Sequence, residues 1–281
     1  MKKVLALLLA LAMVFSFAAC GKKEDAQGPQ EDKNPLGLVN PGKLTVATSP
    51  DFAPYEFYVV DAAGNYTLAG FDPAMAQYAA DYLGLELDVI PMDFDGCLAE
   101  LAAKNVDCVF AGLSPDPTRM DKMDFSDLYY IGGQSFCVAK KNDTLFASLE
   151  DTNNPKYQIG AQNGSIQMDL ANEFSAKADI IPQTKVTEII ADLLAGNIEG
   201  AYIEKAVAET YAISYPDLVV KFDVPYDQEG SAVGVVKDNA ALMKGINEAI
   251  AKALADGSMD KFVAKANEDS TGNIFEGIPE K

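Results

Sequence analysis

One arginine stands among 22 basic residues in this chain, and there is no histidine. That arginine, Arg119, lies in Ala111–Tyr130 (AGLSPDPTRMDKMDFSDLYY), just after the apolar run Val106–Phe110. A guanidinium presents a planar fork that grips a carboxylate through two parallel hydrogen bonds, which an ammonium cannot copy. Two readings of Arg119 follow: a surface ion pair with Asp116 or Asp121, or a grip on an acidic ligand group. The lack of histidine removes the usual general base and metal ligand, and with it triads built on imidazole. No metal or cofactor is expected.

The remaining candidates are polar groups at the ends of elements. Ser165 opens a helical pattern after Gly164, a place for an N-cap whose neighbouring N–H groups can also face an anion. Glu204 ends a short apolar strand. Gln162 can both donate and accept hydrogen bonds, as an amide ligand would require. Phe52 and Phe94 read as core side chains from their type alone. Cys97, Cys108 and Cys137 cannot all pair, none sits in a C-x-x-C, and their apolar neighbours suggest buried free thiols.

The elements that must hold these residues alternate between strand and helix. Lys43–Thr48 is a β-type run, and Asp72-Pro73 starts a helix that Gly84 ends. Leu85, Leu87 and Val89 alternate with Glu86 and Asp88 as a half-buried strand should. Helices are predicted over 96–104, 165–176, 186–195 (stopped by Gly196), 205–213, 239–255 and from Met259. Strands are predicted over 106–110, 157–160 and 200–203. No internal repeat is evident. The rhythm is that of an α/β protein with largely parallel sheets, whose ligands bind beyond the carboxyl ends of strands.

The N-terminus carries a separate signal. Lys2 and Lys3 precede the apolar stretch Val4–Ala19, which is short for a membrane span and has the layout of a secretory signal peptide. Ala18-Ala19-Cys20-Gly21 resembles a bacterial lipoprotein processing site, with Phe17 where leucine is more usual. The resemblance implies cleavage before Cys20 and lipidation of Cys20. Residues 20–42 read as the lipidated cysteine and a flexible Pro/Gly-rich linker. Loss of residues 1–19 removes two of the lysines and takes the formal charge from −20 to −22. Such a surface repels nucleic acid.

Gly112-Leu-Ser114 with Arg119, followed by Asp124-Phe-Ser-Asp-x-Tyr-Tyr130, resembles the signature of the polar amino-acid-binding proteins of ABC importers, the family 3 solute-binding proteins. SPDFAPYEF (49–57), GFDPAMA (70–76), PMDFDG (91–96), GAQNGSIQ (160–167) and AGNIEGAYIEKAVAE (195–209) extend the likeness in order and spacing from Lys43 onward. The resemblance implies a two-lobed periplasmic-binding-protein-like α/β fold, its two domains joined by two crossover segments. Lobe 1 would be 43–131 plus 232–281 and lobe 2 would be 132–231, with hinges at Gly132-Gly133 and Glu229-Gly230. It implies that Arg119 binds a ligand α-carboxylate, helped by Ser114, Gly112, Gly164 and Ser165. Glu204, where the family usually has an aspartate, would take the α-ammonium, and Phe52 and Phe94 would sandwich the ligand side chain.

Ser49 stands where binders of basic amino acids often carry an aspartate, so with Gln162 the reading leans to a glutamine-like ligand and places a basic one second. The function implied is an extracytoplasmic receptor, lipid-anchored on the outer face of the membrane, that passes a free L-amino acid to an ABC importer. The alternatives are an enzyme of the same fold (cyclohexadienyl or arogenate dehydratase-like) and a ligand-sensing module. A sensor would normally continue into a transmembrane helix, whereas this sequence stops at Lys281 after a polar tail.

Overall fold

The computed structural model describes residues 34–227, 230–271 and 274–275. The signal peptide, Cys20 and the hinge residue Glu229 lie outside them. The first part of the described chain runs β1 Lys43–Thr48, β2 Asp51–Phe52, β3 Glu56–Val60, β4 Tyr66–Ala69, α1 Phe71–Leu83, β5 Glu86–Pro91, α2 Phe94–Ala102, β6 Cys108–Val109 and β7 Met123–Tyr130. Then follow β8 Gln134–Ala139, β9 Gln158–Gln162, α3 Ile166–Phe174, β10 Asp179–Gln183, α4 Val186–Ala195, β11 Gly200–Glu204, α5 Lys205–Ser214 and β12 Leu218–Val224. The chain ends with β13 Ser231–Val236, α6 Ala240–Ala255, α7 Ser258–Asp269 and β14 Ile274–Phe275.

Two five-stranded sheets form the two lobes, ordered β5-β1-β6-β13-β7 and β10-β9-β11-β8-β12. In the first, β1 pairs parallel with β5 and β6, whereas β13 runs antiparallel to β6 and β7. In the second, β9 pairs parallel with β10 and β11, whereas β8 runs antiparallel to β11 and β12. The sheets are therefore mixed rather than largely parallel. The chain passes from the first sheet to the second between β7 and β8, and back between β12 and β13. Each returning strand enters beside a parallel trio against its direction. β8 (QSFCVA) and β13 (SAVGVV) are buried at every position, so they show no period-two alternation to read.

Helices cover the sheets by burying one stripe each. On α1 the buried residues are Phe71, Asp72, Met75, Ala76, Ala79 and Ala80, while Tyr82 is exposed. The helix ends as predicted at Gly84, in the left-handed conformation. Its start differs. Gly70 precedes the helix, and Asp72, expected to cap it, is buried instead, accepting the Gly112 N–H and the Tyr129 hydroxyl at 2.8 Å each. The linker also ends earlier than expected. Val39 donates its N–H to Asp107, Asn239 reaches the Leu36 carbonyl, and Leu38 joins the core.

Cys97, Cys108 and Cys137 are buried free thiols, each pushed up in pKa by that burial. Among the described residues no helix is long and apolar enough to cross a membrane.

Candidate functional site

A narrow cavity lies between the lobes. From the first lobe it is lined by Ser49 after β1, Phe52 of β2, Glu56 of β3, Phe94 of α2, and Ala111, Gly112, Ser114 and Arg119 beyond β6. The second lobe contributes Gln162 at the end of β9 with Ser165, Ile166 and Gln167 at the start of α3. The loop after β6 leaves a parallel strand at its carboxyl end, where the edges of an open sheet diverge.

Gly112 shapes that loop. Its φ is +54°, and a Cβ there would lie 2.7 Å from the Phe52 ring, so both the backbone and the close approach of Phe52 call for glycine. Arg119 closes a short 3-10 turn (Pro117–Arg119) whose first N–H groups are capped by Asp116, which accepts from Thr118 at 2.7 Å. Asp116 is thus a cap, and among the described residues Arg119 makes no ion pair. The guanidinium is 9% exposed, lies 5.9 Å from the Phe94 ring centre and donates to the Gly164 carbonyl at 2.9 Å. Burial lowers its pKa, opposed chiefly by the field of Asp116. A cation desolvated in this way, with one neutral acceptor, is poised for an anion.

Ser165 is both N-cap and cavity wall. Its hydroxyl donates to the Gln162 carbonyl at 2.7 Å and accepts from Met168 N–H, so the start of α3 faces the cavity with its axis dipole positive. The Gln162 amide is half committed, since its Nε2 donates to the Thr184 carbonyl.

Ser49, Phe52, Phe94, Gly112, Ser114, Arg119, Gln162 and Ser165 are brought together at this one cavity, and Gly164 adjoins it through Arg119. Glu204, expected to take the ammonium, does not line this cavity. It faces a separate cleft of about 790 Å³ with Gly132, Gly133 and Lys205. β11 ends at Glu204 and α5 begins one residue later, so its Oε2 folds back to cap Val207 N–H at 2.8 Å. Oε1 accepts the Tyr55 hydroxyl at 3.1 Å and the Gly133 N–H at 3.4 Å. Burial pushes this carboxyl up to about 7 against those bonds.

The residue that the sequence reading passed over is Glu56. It is fully buried and lines the cavity, its polar neighbours are the Asp72 carboxyl and the Ser49 backbone N–H, and it forms no ion pair among the described residues. Burial first, then repulsion from Asp72 and Asp51, holds its pKa well above the ordinary value. Burial raises Asp72 and Asp51 as well, each to about 6. Three buried carboxyls thus meet at the first-lobe side of the cavity. The available signal was an acid between Tyr55 and Phe57 in an otherwise apolar run. Thr48, whose buried hydroxyl is unpartnered among the described residues, gave no such signal.

Comparison with known proteins is consistent along most of the chain. The profile of a family described as bacterial extracellular solute-binding proteins, family 3, matches residues 44–268. The arginine-binding extracellular protein ArtP of Bacillus subtilis (strain 168) is 31% identical over 269 residues, spanning 94% of this chain and 98% of its own. The amino acid ABC transporter substrate-binding protein AbpA of Streptococcus pneumoniae Canada MDR_19A, solved bound to L-arginine, is 31% identical. It aligns with a TM-score of 0.78 over 82% of this chain and 97% of its own. An ancestral arginine-binding protein solved bound to glutamine is also 31% identical, with a TM-score of 0.71 over 80% and 97% of the two chains.

Proposed function

The chain belongs to the bacterial extracellular solute-binding proteins of family 3, and from that premise we propose that it captures a basic L-amino acid, arginine foremost, for an ABC importer. The observation that carries the choice of ligand is Glu56: a buried carboxyl in the same cavity as Arg119 that forms no ion pair among the described residues. Arg119 and the start of α3 suit the ligand's carboxylate. A ligand with a cationic side chain then supplies the counter-charge that Glu56 lacks, and burying a carboxylate without one is costly. The relatives that bind arginine support the same choice. This reverses the lean to glutamine, which rested on Ser49 replacing an aspartate and on a free Gln162 amide. Glu56 provides a carboxyl from another position, and the Gln162 amide is partly engaged with Thr184.

Lobe closure would turn on the two passages between the sheets, with Gly132-Gly133 as one hinge. No reaction follows capture in this reading; mass analysis of arginine recovered after incubation would return it unchanged, and a product would overturn the assignment. Titration calorimetry against the twenty amino acids and ornithine tests the ligand. Arginine, lysine or ornithine should bind more tightly than glutamine. Tighter binding of glutamine would overturn the basic class, and no binding at all would overturn the receptor reading.

Export follows from the family, and lipid attachment at Cys20 is part of the proposal. In a bacterium that processes lipoproteins the protein should fractionate with membranes, and Cys20→Ser should release it or leave it unprocessed. Membrane attachment of a cleaved, Ser-bearing chain would exclude the lipid anchor.

A further inference from the structure

The first amide of α4 has no acceptor of its own. In any α-helix the first N–H groups point out of the end without intrahelical partners, and a Ser, Thr, Asp or Asn at the N-cap commonly serves them. Here the N-cap is Lys185, which makes no side-chain cap hydrogen bond and has no acceptor to offer. The missing acceptor comes from the other lobe. Asp51, 135 residues earlier in β2, accepts the Val186 N–H on Oδ2 at 2.6 Å. Its Oδ1 takes the hydroxyl of Ser49, a cavity residue, at 3.0 Å, and its backbone carbonyl accepts the Tyr211 hydroxyl from α5 at 3.2 Å. Asp51 itself is buried and does not line the cavity.

We propose that Asp51 is a positioning residue that clasps the lobes over the ligand by serving as the N-cap of α4 from across the cleft. The carboxylate and the helix end suit each other by charge as well as by hydrogen bonding. Separation of the lobes breaks the contact and leaves α4 uncapped. Each closure therefore gains a bond that owes nothing to the ligand's side chain, and the ligand's residence time depends on it. The same carboxylate orients Ser49 at the cavity wall.

The proposal rests on the reading that the cavity binds an amino acid, and L-arginine is the probe. Asp51→Ala should weaken L-arginine about 10- to 100-fold, mainly through faster dissociation. Asp51→Asn keeps an acceptor for Val186 N–H, and its affinity should stay within about threefold of wild type. Val186→Pro removes the same bond from the other side. Proline is accommodated at the first helical position, and Lys185, at φ −124° and ψ 144°, already has the extended backbone that a following proline demands.

Val186→Pro should therefore lose affinity to a similar degree. Adding Asp51→Ala to it should cost less than about twofold more, since one bond cannot be lost twice. Wild-type binding with Asp51→Ala within about threefold of it would overturn the clasp alone, as would additive losses in the double variant. If Asp51→Ala fails to fold, Val186→Pro with near wild-type affinity overturns it equally. No binding of any amino acid by the wild type would overturn the receptor reading and the clasp together.

Discussion

The two walls of the cavity divide the work of recognition unequally. The first-lobe wall holds every ionisable side chain that lines it, Arg119 and Glu56, together with both aromatic rings, Phe52 and Phe94. The second-lobe wall is built from Gln162, Ser165, Ile166 and Gln167 and meets the cavity with the start of a helix. Charge complementarity therefore resides in one lobe, so a ligand can be sorted before closure. The other lobe adds backbone dipoles and neutral hydrogen bonds that seal the site. Side-chain charges select among ligands, whereas a helix terminus accepts any anion of the right size.

The largest predicted effect falls on the charged wall. Arg119→Lys should cost at least about 100-fold in L-arginine affinity, nearly as much as Arg119→Ala, because losing a buried charge partner costs about 2–5 kcal/mol and an ammonium lacks the fork. Calorimetry that finds Arg119→Lys within a few-fold of wild type would break the comparison. Next comes Glu56→Gln, expected to weaken L-arginine by about tenfold or more while changing L-glutamine by less than about threefold. Equal losses for both ligands would show that Glu56 supports the wall without selecting charge.

Gly112→Ala should lower unfolding stability by about 2 kcal/mol, since a left-handed residue with a Cβ costs about 1–2 kcal/mol before the contact with Phe52 is counted. Denaturant unfolding measures it, and an unchanged midpoint would refute the close-packing argument. On the neutral wall, Ser165→Ala should cost about 1 kcal/mol of stability through the lost cap, with arginine affinity within about fivefold of wild type. A loss as large as that of Arg119→Lys would erase the distinction between the walls.

The smallest effect is on pH dependence without ligand. Asp51 and Asp72 at about 6 and Glu204 at about 7 are all raised above their unfolded values. The folded state thus binds more protons than the unfolded state through this range. Their contribution is complete below the unfolded carboxyl pKa values and is lost as pH rises through about 6 to 7. The melting temperature should be a few degrees higher at pH 5.5 than at pH 7.5, and the reverse order would contradict the burial of these charges. A cation beside Glu56 favours its ionised form, so arginine binding should release a proton and tighten as pH rises.

Legibility in the sequence followed the reach of the signal. β1 was read to the residue as a short β-type run, and α4 with its stop at Gly196. Arg119, Gly112 and Ser114, which line one cavity in the structure, were singled out because several motifs stood in register around a lone guanidinium. Glu204, expected to meet the ammonium, caps α5 in the structure, and an acid at a strand end carries no local mark that distinguishes the two roles. Asn34–Gly42 was read as linker because its composition is polar, although Leu36 and Leu38 pack on the core.

By itself, then, the sequence determined where most elements begin and end, that helices and strands alternate, and that one guanidinium stands beyond a strand's carboxyl end. These depend on contacts a few residues apart, which periodicity, caps and turn residues record directly. Tertiary structure alone decided that β8 and β13 run against their neighbours, because residues buried on both faces carry no period. It alone enclosed Glu56 with other carboxyls and no cationic partner among the described residues, since that depends on which groups from distant segments share its enclosure. The helix cap that Asp51 lends to α4 likewise exists only once two residues 135 positions apart have been brought together.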